Sequence, residues 1–182
     1  SLNALTHEDI SVKSVRRQSS DFSARFSCTM REYKYFICTD AYKPLLMKGF
    51  CWHIPKELDL EAMRAAAACL IGEHDFKSFC MAASAEGKST MRNVFSIDVS
   101  REDAWGENLV VITVKGNAFL HSMVRTIVGT LVAVGLGRRR PEWIAEVLEA
   151  RNRAAAGENA PAQGLGFWNV SYEGERVHNP LK

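Results

Sequence analysis

The segment with the most chemical potential is residues 117–129, in which polar side chains are set among apolar residues at helical spacing. At about 100° per residue, Arg125 falls beside the apolar face of the predicted helix, on the same side as His121 and Ser122. Such an arginine is either a surface side chain whose stem covers the core, or a partly buried cation available to an anionic group. Periodicity alone favours the surface interpretation.

Two further segments carry side chains that could act on a substrate. Arg31, Tyr33 and Tyr35 alternate along a predicted strand and so share one face. A tyrosine there could stack on a base, although packing at the rim of the core is the more common use. Residues 72–79 contain a His-Asp pair that could serve acid–base chemistry, but the phenylalanines beside it favour a structural corner.

Bulk composition excludes several classes of protein. The chain has 182 residues, 47% of them hydrophobic and 24% charged, which is typical of a globular domain and excludes a disordered chain. The five cysteines and five histidines show no paired metal-ligand spacing, so we expect reduced thiols and no metal site. The longest apolar stretch, residues 119–136, is interrupted by His121 and Arg125, which argues against a membrane span.

Charge gives only a weak indication of a partner. A net charge of +2 does not by itself predict nucleic-acid binding. Local clusters say slightly more, because Arg138, Arg139 and Arg140 could contact RNA phosphates or could simply be solvated surface.

Hydrophobic periodicity predicts the elements that must position these residues. Helices are expected from Asp59, over residues 119–134 and from Pro141. Extended strands are expected in six segments, namely 10–15, 22–28, 33–38, 94–99, 109–114 and 164–170. This order predicts an α+β fold with helices packed on one face of a largely antiparallel sheet. We expect one domain over residues 1–174 and a polar tail over residues 175–182.

In their order along the chain, six segments resemble the TruA family of tRNA pseudouridine synthases. The resemblance covers nearly the whole sequence and is carried by Leu2-Asn3 with Asp9-Ile10, by Ala24-Arg25-Phe26 with Arg31-x-Tyr33-x-Tyr35, by Gly72-x-His74-Asp75-Phe76, by Arg92-Asn93-Val94, by Phe119-Leu120-x-x-Met123-Val124-Arg125, and by Gly164-Leu165.

The resemblance implies a pseudouridine synthase type of fold and an isomerase that converts uridine to pseudouridine in the anticodon arm of tRNA. No metal or organic cofactor is implied. Tyr33 would contact the flipped uridine, Arg125 would pair with the catalytic aspartate, and Leu165 would form an apolar wall against the base. A cytoplasmic homodimer is the implied assembly of the full-length protein.

The nucleophile itself is the main departure from the family pattern, beside Thr6-His7 where the family has Leu-Pro. In the family it belongs to a G-R-T-D-A-G-V-H motif upstream of the segment that resembles Leu2-Asn3. Thr39-Asp40-Ala41 repeats three letters of that motif, but its flanking residues differ and Asp40 falls at a strand end. We therefore expect Asp40 not to be catalytic and this chain alone to be inactive. The alternative is a stand-alone RNA-binding module without chemistry.

Overall fold

The computed structural model describes residues 2–81, 87, 89–173 and 175–176. Within them, seven strands form one sheet: β1 (Cys28–Cys38), β2 (Trp52–His53), β3 (Gly72–Asp75), β4 (Met91–Ala104), β5 (Glu107–Gly116), β6 (Leu165–Tyr172) and β7 (Glu175–Arg176). Their order is β3-β4-β5-β1-β6-β7, and β2 pairs with the end of β1 in parallel. All other pairs are antiparallel. Because β1 lies between β5 and β6, its backbone is paired along both edges, which fixes the positions of its side chains.

The hairpin between β4 and β5 turns in two residues. Trp105 and Gly106 have φ angles of 54° and 87°, the left-handed pair that a type I′ turn requires. The carboxylate of Glu107 accepts hydrogen bonds from three successive backbone N–H groups, those of residues 45–47. The tip of the hairpin therefore also fixes the loop after β1.

Three helices of the described chain pack on one face of this sheet: α1 (Leu60–Ala68), α2 (Met123–Gly135) and α3 (Trp143–Ala150). Asp59 caps α1, since its side chain accepts a hydrogen bond from the Ala62 N–H at 2.9 Å. The main core is formed by the apolar faces of these helices and by the inward residues of β1, β4 and β5, such as Ile37 and Ile112. The predicted α+β fold, with helices on one face of a largely antiparallel sheet, is confirmed.

The prediction of two strands before β1 is wrong. Residues 10–15 and 22–27 form no strand, and only Cys28 of the second segment joins the sheet. Ile10 and Val15 are 58% and 75% exposed, so their alternation buries nothing. Both edges of β1 are already occupied, and the side chain of Asn3 instead holds the segment as a loop through the backbone N–H and C=O of Val12.

At the C-terminal end, Glu175 and Arg176 pair with Ser171 and Tyr172, so the sheet continues into the first two residues of the predicted tail. Residues 177–182 of that tail lie outside the described residues. No helix in the described part of the chain is both long and apolar enough to cross a membrane.

Residues 157–164, called the strap below, cross α2 in direct backbone contact. A Cβ atom on Gly129 would lie 1.9 Å from the carbonyl oxygen of Glu158, and one on Gly157 would lie 2.9 Å from Cα of Thr130. The Gly157 N–H donates to Oγ1 of Thr130 at 3.1 Å. The strap can therefore reach α2 only where both segments lack side chains.

We expect Gly129→Ala to lower the free energy of unfolding by about 1–3 kcal/mol, the usual cost of overpacking, although alanine is the better helix former. Gly135→Ala is the matched control on the same helix, because its Cβ would meet the flexible end of Met63, at 2.5 Å from Sδ, rather than a backbone. Urea unfolding of both variants measures the difference. Equal losses of stability would contradict a rigid strap.

Candidate active site

A cavity of about 360 Å³ opens at the N-terminal end of α2, and its volume is within the roughly 300–1,000 Å³ typical of small-ligand pockets. Tyr33, Arg125 and Leu165 all line it, although they are far apart in sequence. The other lining residues are Phe119, Leu120, His121, Ser122, Met123 and Val124. The structure thus brings together the three side chains that the resemblance singles out. Their roles stay predictions.

Tyr33 is half-buried and held by two aromatic neighbours. The Phe119 ring meets it edge to face, with centroids 5.2 Å apart, and the Phe167 ring lies at 5.1 Å with a 59° tilt. Burial raises the pKa of the Tyr33 phenol, against the opposing charge of Arg31. The hydroxyl is therefore neutral near pH 7 and can donate a hydrogen bond.

Arg125 lies in the first turn of α2 and is half-buried. Its Nε donates to the carbonyl oxygen of Ala160 at 2.6 Å, and the Ala160 N–H donates back to the Arg125 carbonyl at 3.1 Å. Within the described residues, no carboxylate forms an ion pair with this guanidinium. Two Nη groups therefore remain available for a planar, two-point contact with a carboxylate or a phosphate.

The helix predicted from Phe119 begins only at Met123. Ser122 has φ 61° and ψ 5°, a left-handed conformation through which a helix cannot propagate. The preceding loop is held at Asn117, whose side-chain oxygen accepts from the Asn93 N–H at 3.0 Å and whose own N–H donates to the Asn93 carbonyl at 3.0 Å. Residues 119–122 consequently form a wall of the cavity instead of another helical turn.

Leu165 begins β6 directly after the strap and lies opposite Tyr35 in the register of β1. Tyr35 is fully buried, and its hydroxyl donates to the carbonyl oxygen of Pro161 at 2.7 Å. A Cβ on Gly164 would lie 2.6 Å from Cζ of Tyr35, so the strap passes the ring with no room for a side chain. Tyr35 was assigned no role from the sequence, and its alternation with Tyr33 was the only available signal.

The arginine triplet lies elsewhere. It follows the C-terminal end of α2, whose last residue is ten positions beyond Arg125, about 15 Å along the helix axis. The Arg139 guanidinium stacks over the Trp143 ring at 5.1 Å, and Arg140 pairs with Glu146. Arg138 and Arg139 line a separate cavity of about 500 Å³. The structure does not bring these residues into the cavity that Tyr33 lines.

The Asp40 carboxylate caps the strand end where it lies. It accepts hydrogen bonds from the Asn108 side chain at 2.6 Å and from the Asn108 N–H at 2.9 Å, and these bonds hold the pKa of Asp40 below its usual value. Asp75 likewise caps a 3₁₀ turn through the N–H of Lys77 at 3.1 Å. The structural interpretation of residues 72–79 is confirmed for Phe76 and Phe79, which are fully buried, but residues 72–75 form strand β3 rather than a corner.

Metal-ligating side chains are scattered. Across the described ranges, no three His, Cys, Asp or Glu residues come close enough to hold a metal ion. All five cysteines are free thiols. Burial raises the pKa of Cys51 to about 11 and also raises the pKa values of Cys38, Cys69 and Cys80, so these thiols are neutral near pH 7.

Comparison with known proteins identifies close relatives. A family model described as tRNA pseudouridine synthase matches residues 66–173. The chain is 39% identical over 174 residues to tRNA pseudouridine synthase A of Bacillus subtilis, covering 94% of this chain and 68% of that protein. It is 42% identical over 171 residues to the proteins of the same name from Pectobacterium atrosepticum and Klebsiella pneumoniae, with 59% and 62% of those proteins covered.

The buried phenol of Tyr35 predicts a loss of stability at alkaline pH. Burial raises the pKa of Tyr35, despite the nearby charge of Arg125, so this group stabilises the fold fully below the unfolded-state pKa of about 10. Its contribution is lost as the pH rises above that value. We expect the difference in unfolding free energy between wild type and Tyr35→Phe to shrink by up to about 1.4 kcal/mol per pH unit above pH ~10. A difference that stays constant in urea titrations across this range would contradict the burial.

Proposed function

Because the chain belongs to the tRNA pseudouridine synthase family, we propose that the full-length protein converts uridine to pseudouridine in the anticodon stem-loop of tRNA. The reaction detaches uracil from ribose, turns the base and rejoins it through carbon. The main observation in support is that Tyr33, Arg125 and Leu165 line one cavity. As the sequence resemblance implies, the proposal includes neither a metal ion nor an organic cofactor.

The proposed role of Arg125 is to hold the nucleophilic aspartate of the family's G-R-T-D-A-G-V-H motif, which is not among these 182 residues. Anchoring of Nε on the Ala160 carbonyl leaves one edge of the guanidinium for that carboxylate. An adjacent positive charge favours the ionised carboxylate, and a two-point contact fixes its orientation toward the sugar. Arg125 therefore acts through the nucleophile rather than on uracil itself.

The proposed roles of Tyr33 and Leu165 concern the flipped base. Taking a base out of the stack costs a few kcal/mol, and stacking on an aromatic side chain recovers about 1–3 kcal/mol. Tyr33 can supply such a surface because Phe119 and Phe167 fix its ring before the RNA arrives. Leu165 adds an apolar contact on the side of the cavity formed by β6.

The remaining partners belong to the same proposal. Arg138, Arg139 and Arg140 would contact phosphates of the tRNA outside the cavity, and Arg139 is already oriented by Trp143. The resemblance also implies a homodimer and a cytoplasmic location. A supporting feature for self-association is the exposure of large apolar side chains on the loop after β1 and on the neighbouring hairpin tip, namely Tyr42, Leu45, Leu46, Phe50 and Trp105.

We expect this chain alone to produce no pseudouridine from an anticodon-arm RNA. Formation of pseudouridine removes the hydrogen at C5 of uracil, so release of tritium from a 5-tritiated substrate measures it directly. The full-length protein should release tritium under the same conditions. Release by the chain alone would contradict the need for an external nucleophile, whereas RNA binding without release by the full-length protein would favour a stand-alone RNA-binding module.

In the full-length protein, we expect Arg125→Ala to lower kcat by about 100-fold or more, the usual cost of losing one preorganised electrostatic contact, with little change in KM. Tyr33→Ala should impair both kcat and KM. Arg139→Ala is the contrasting variant, because loss of a phosphate contact raises KM and lowers the salt dependence while kcat stays the same. An unchanged kcat in Arg125→Ala would rule out its assigned role.

A further inference from the structure

The buried hydroxyl of Tyr35 holds the part of the strap that contacts Arg125. Tyr35 is 0% exposed, and its hydroxyl donates to the Pro161 carbonyl at 2.7 Å. The preceding carbonyl, that of Ala160, accepts the Nε–H of Arg125 at 2.6 Å. Two neighbouring carbonyls of one short segment therefore bind a residue of β1 and a residue of α2.

The other contacts of the strap to α2 lie in its first half, where the Ala160 N–H also donates to the Arg125 carbonyl at 3.1 Å. The glycine contacts and the hydrogen bond between Thr126 and Asn159, 2.6 Å between Oγ1 and Oδ1, hold residues 157–159. Beyond residue 159, the described structure shows one side-chain hydrogen bond from β1 to the strap. The Tyr35 hydroxyl donates it to the Pro161 carbonyl. Loss of the hydroxyl should leave residues 157–160 on α2 but loosen Pro161, and with it the orientation of the peptide group that carries the Ala160 carbonyl.

We propose that Tyr35 is a positioning residue for Arg125, acting through the carbonyl groups of the strap. A guanidinium can turn about several single bonds, and among the described residues the Nε contact is the one hydrogen bond that fixes the plane in which the Nη groups of Arg125 lie. A fixed Ala160 carbonyl therefore fixes the direction in which Arg125 meets a carboxylate. This inference deepens the proposed function and rests on it for its catalytic consequence.

Tyr35 also lies next to a second residue of the site, Leu165, through the pairing of β1 with β6. Tyr35 and Leu165 are opposite each other in the β1–β6 pair, and Gly164 passes the Tyr35 ring where a Cβ would clash. Tyr35 does not line the cavity itself. It lies behind two of the three side chains that do, Arg125 and Leu165, so its effect on a reaction would be indirect.

The first experiment follows the Nε–H of Arg125 in the ¹⁵N-labelled chain by NMR hydrogen exchange. Tyr35→Phe should make this proton exchange about five- to tenfold faster, the factor that corresponds to one neutral hydrogen bond. Tyr172→Phe is the matched control, because it removes another hydroxyl-to-carbonyl bond, at 3.0 Å to Ala24, on a different part of the sheet. In Tyr172→Phe, the Arg125 Nε–H should exchange at the wild-type rate. Equal rates in Tyr35→Phe and wild type would overturn the proposal.

The second experiment is a double-mutant cycle in the full-length protein, read out by tritium release. Tyr35→Phe should lower kcat severalfold without changing KM, Tyr172→Phe should leave both constants unchanged, and Tyr35→Phe should cost nothing further once Arg125 is alanine. The same loss of kcat in both backgrounds would show a general structural effect and overturn the inference.

Failure of the proposed function gives a different pattern. A full-length wild type that releases no tritium, or an Arg125→Ala variant with full activity, would contradict the function assigned to the site. The exchange rate of the Arg125 Nε–H would still decide whether Tyr35 positions that side chain. The two failures are therefore distinguishable.

Discussion

Contact between two backbones, that of α2 and that of the strap, is the constraint on which the candidate site depends. Helices usually meet other segments through side chains, at distances that leave several ångströms between main chains. Here Gly129 and Gly157 remove that separation. The strap can consequently place a carbonyl beside the first turn of α2, where the Arg125 side chain begins. A bulkier position 129 would move that carbonyl away from the guanidinium.

Electrostatics within the cavity follow from this arrangement. Arg125 is half-buried, and a buried cation without a charged partner is costly unless other polar groups compensate. The Ala160 carbonyl compensates one N–H of five, which leaves most of the donor capacity for a ligand. Tyr33 contributes no charge, because a phenol is already neutral near pH 7 and burial raises its pKa further. The cavity therefore presents a fixed positive group, Arg125, on a wall of mixed polar and apolar side chains, a suitable setting for one carboxylate and an uncharged base.

Sequence reasoning predicted those parts of the fold that are recorded in local patterns. The hydrophobic alternation in β1 and β4, the apolar run in β5 and the cap at Asp59 could be recognised because each signal lies within a few residues. The failures arise where the deciding feature lies outside the local pattern: residues 10–15 alternate but are held as a loop by the side chain of Asn3, and α2 starts only at Met123 because Ser122 adopts a left-handed conformation.

The candidate site likewise contains residues that the sequence identifies and residues that depend on distant contacts. The resemblance singles out Tyr33, Arg125 and Leu165, whereas periodicity alone favours an ordinary packing position for Tyr33 and a surface position for Arg125. The role of Tyr35 was not recognisable, because its partner, Pro161, is 126 residues away and contributes only a backbone atom. A contact between a side chain and a distant carbonyl leaves almost no trace in residue types. Gly164 is the one sequence signal of this contact, since the absence of a side chain there leaves room for the Tyr35 ring.

The strap is fixed at both ends, by the Gly157 N–H on Thr130 and by the pairing of Leu165 with Tyr35. Successive side chains of a strand point to opposite faces, so one additional or missing residue between these ends would turn Leu165 away from the cavity, toward the face where Phe36 and Trp168 pack. The number of residues in the strap therefore sets the face of β6 on which Leu165 lies. Its composition can change wherever sterics permit, but its length selects which side chain closes the wall beside the base.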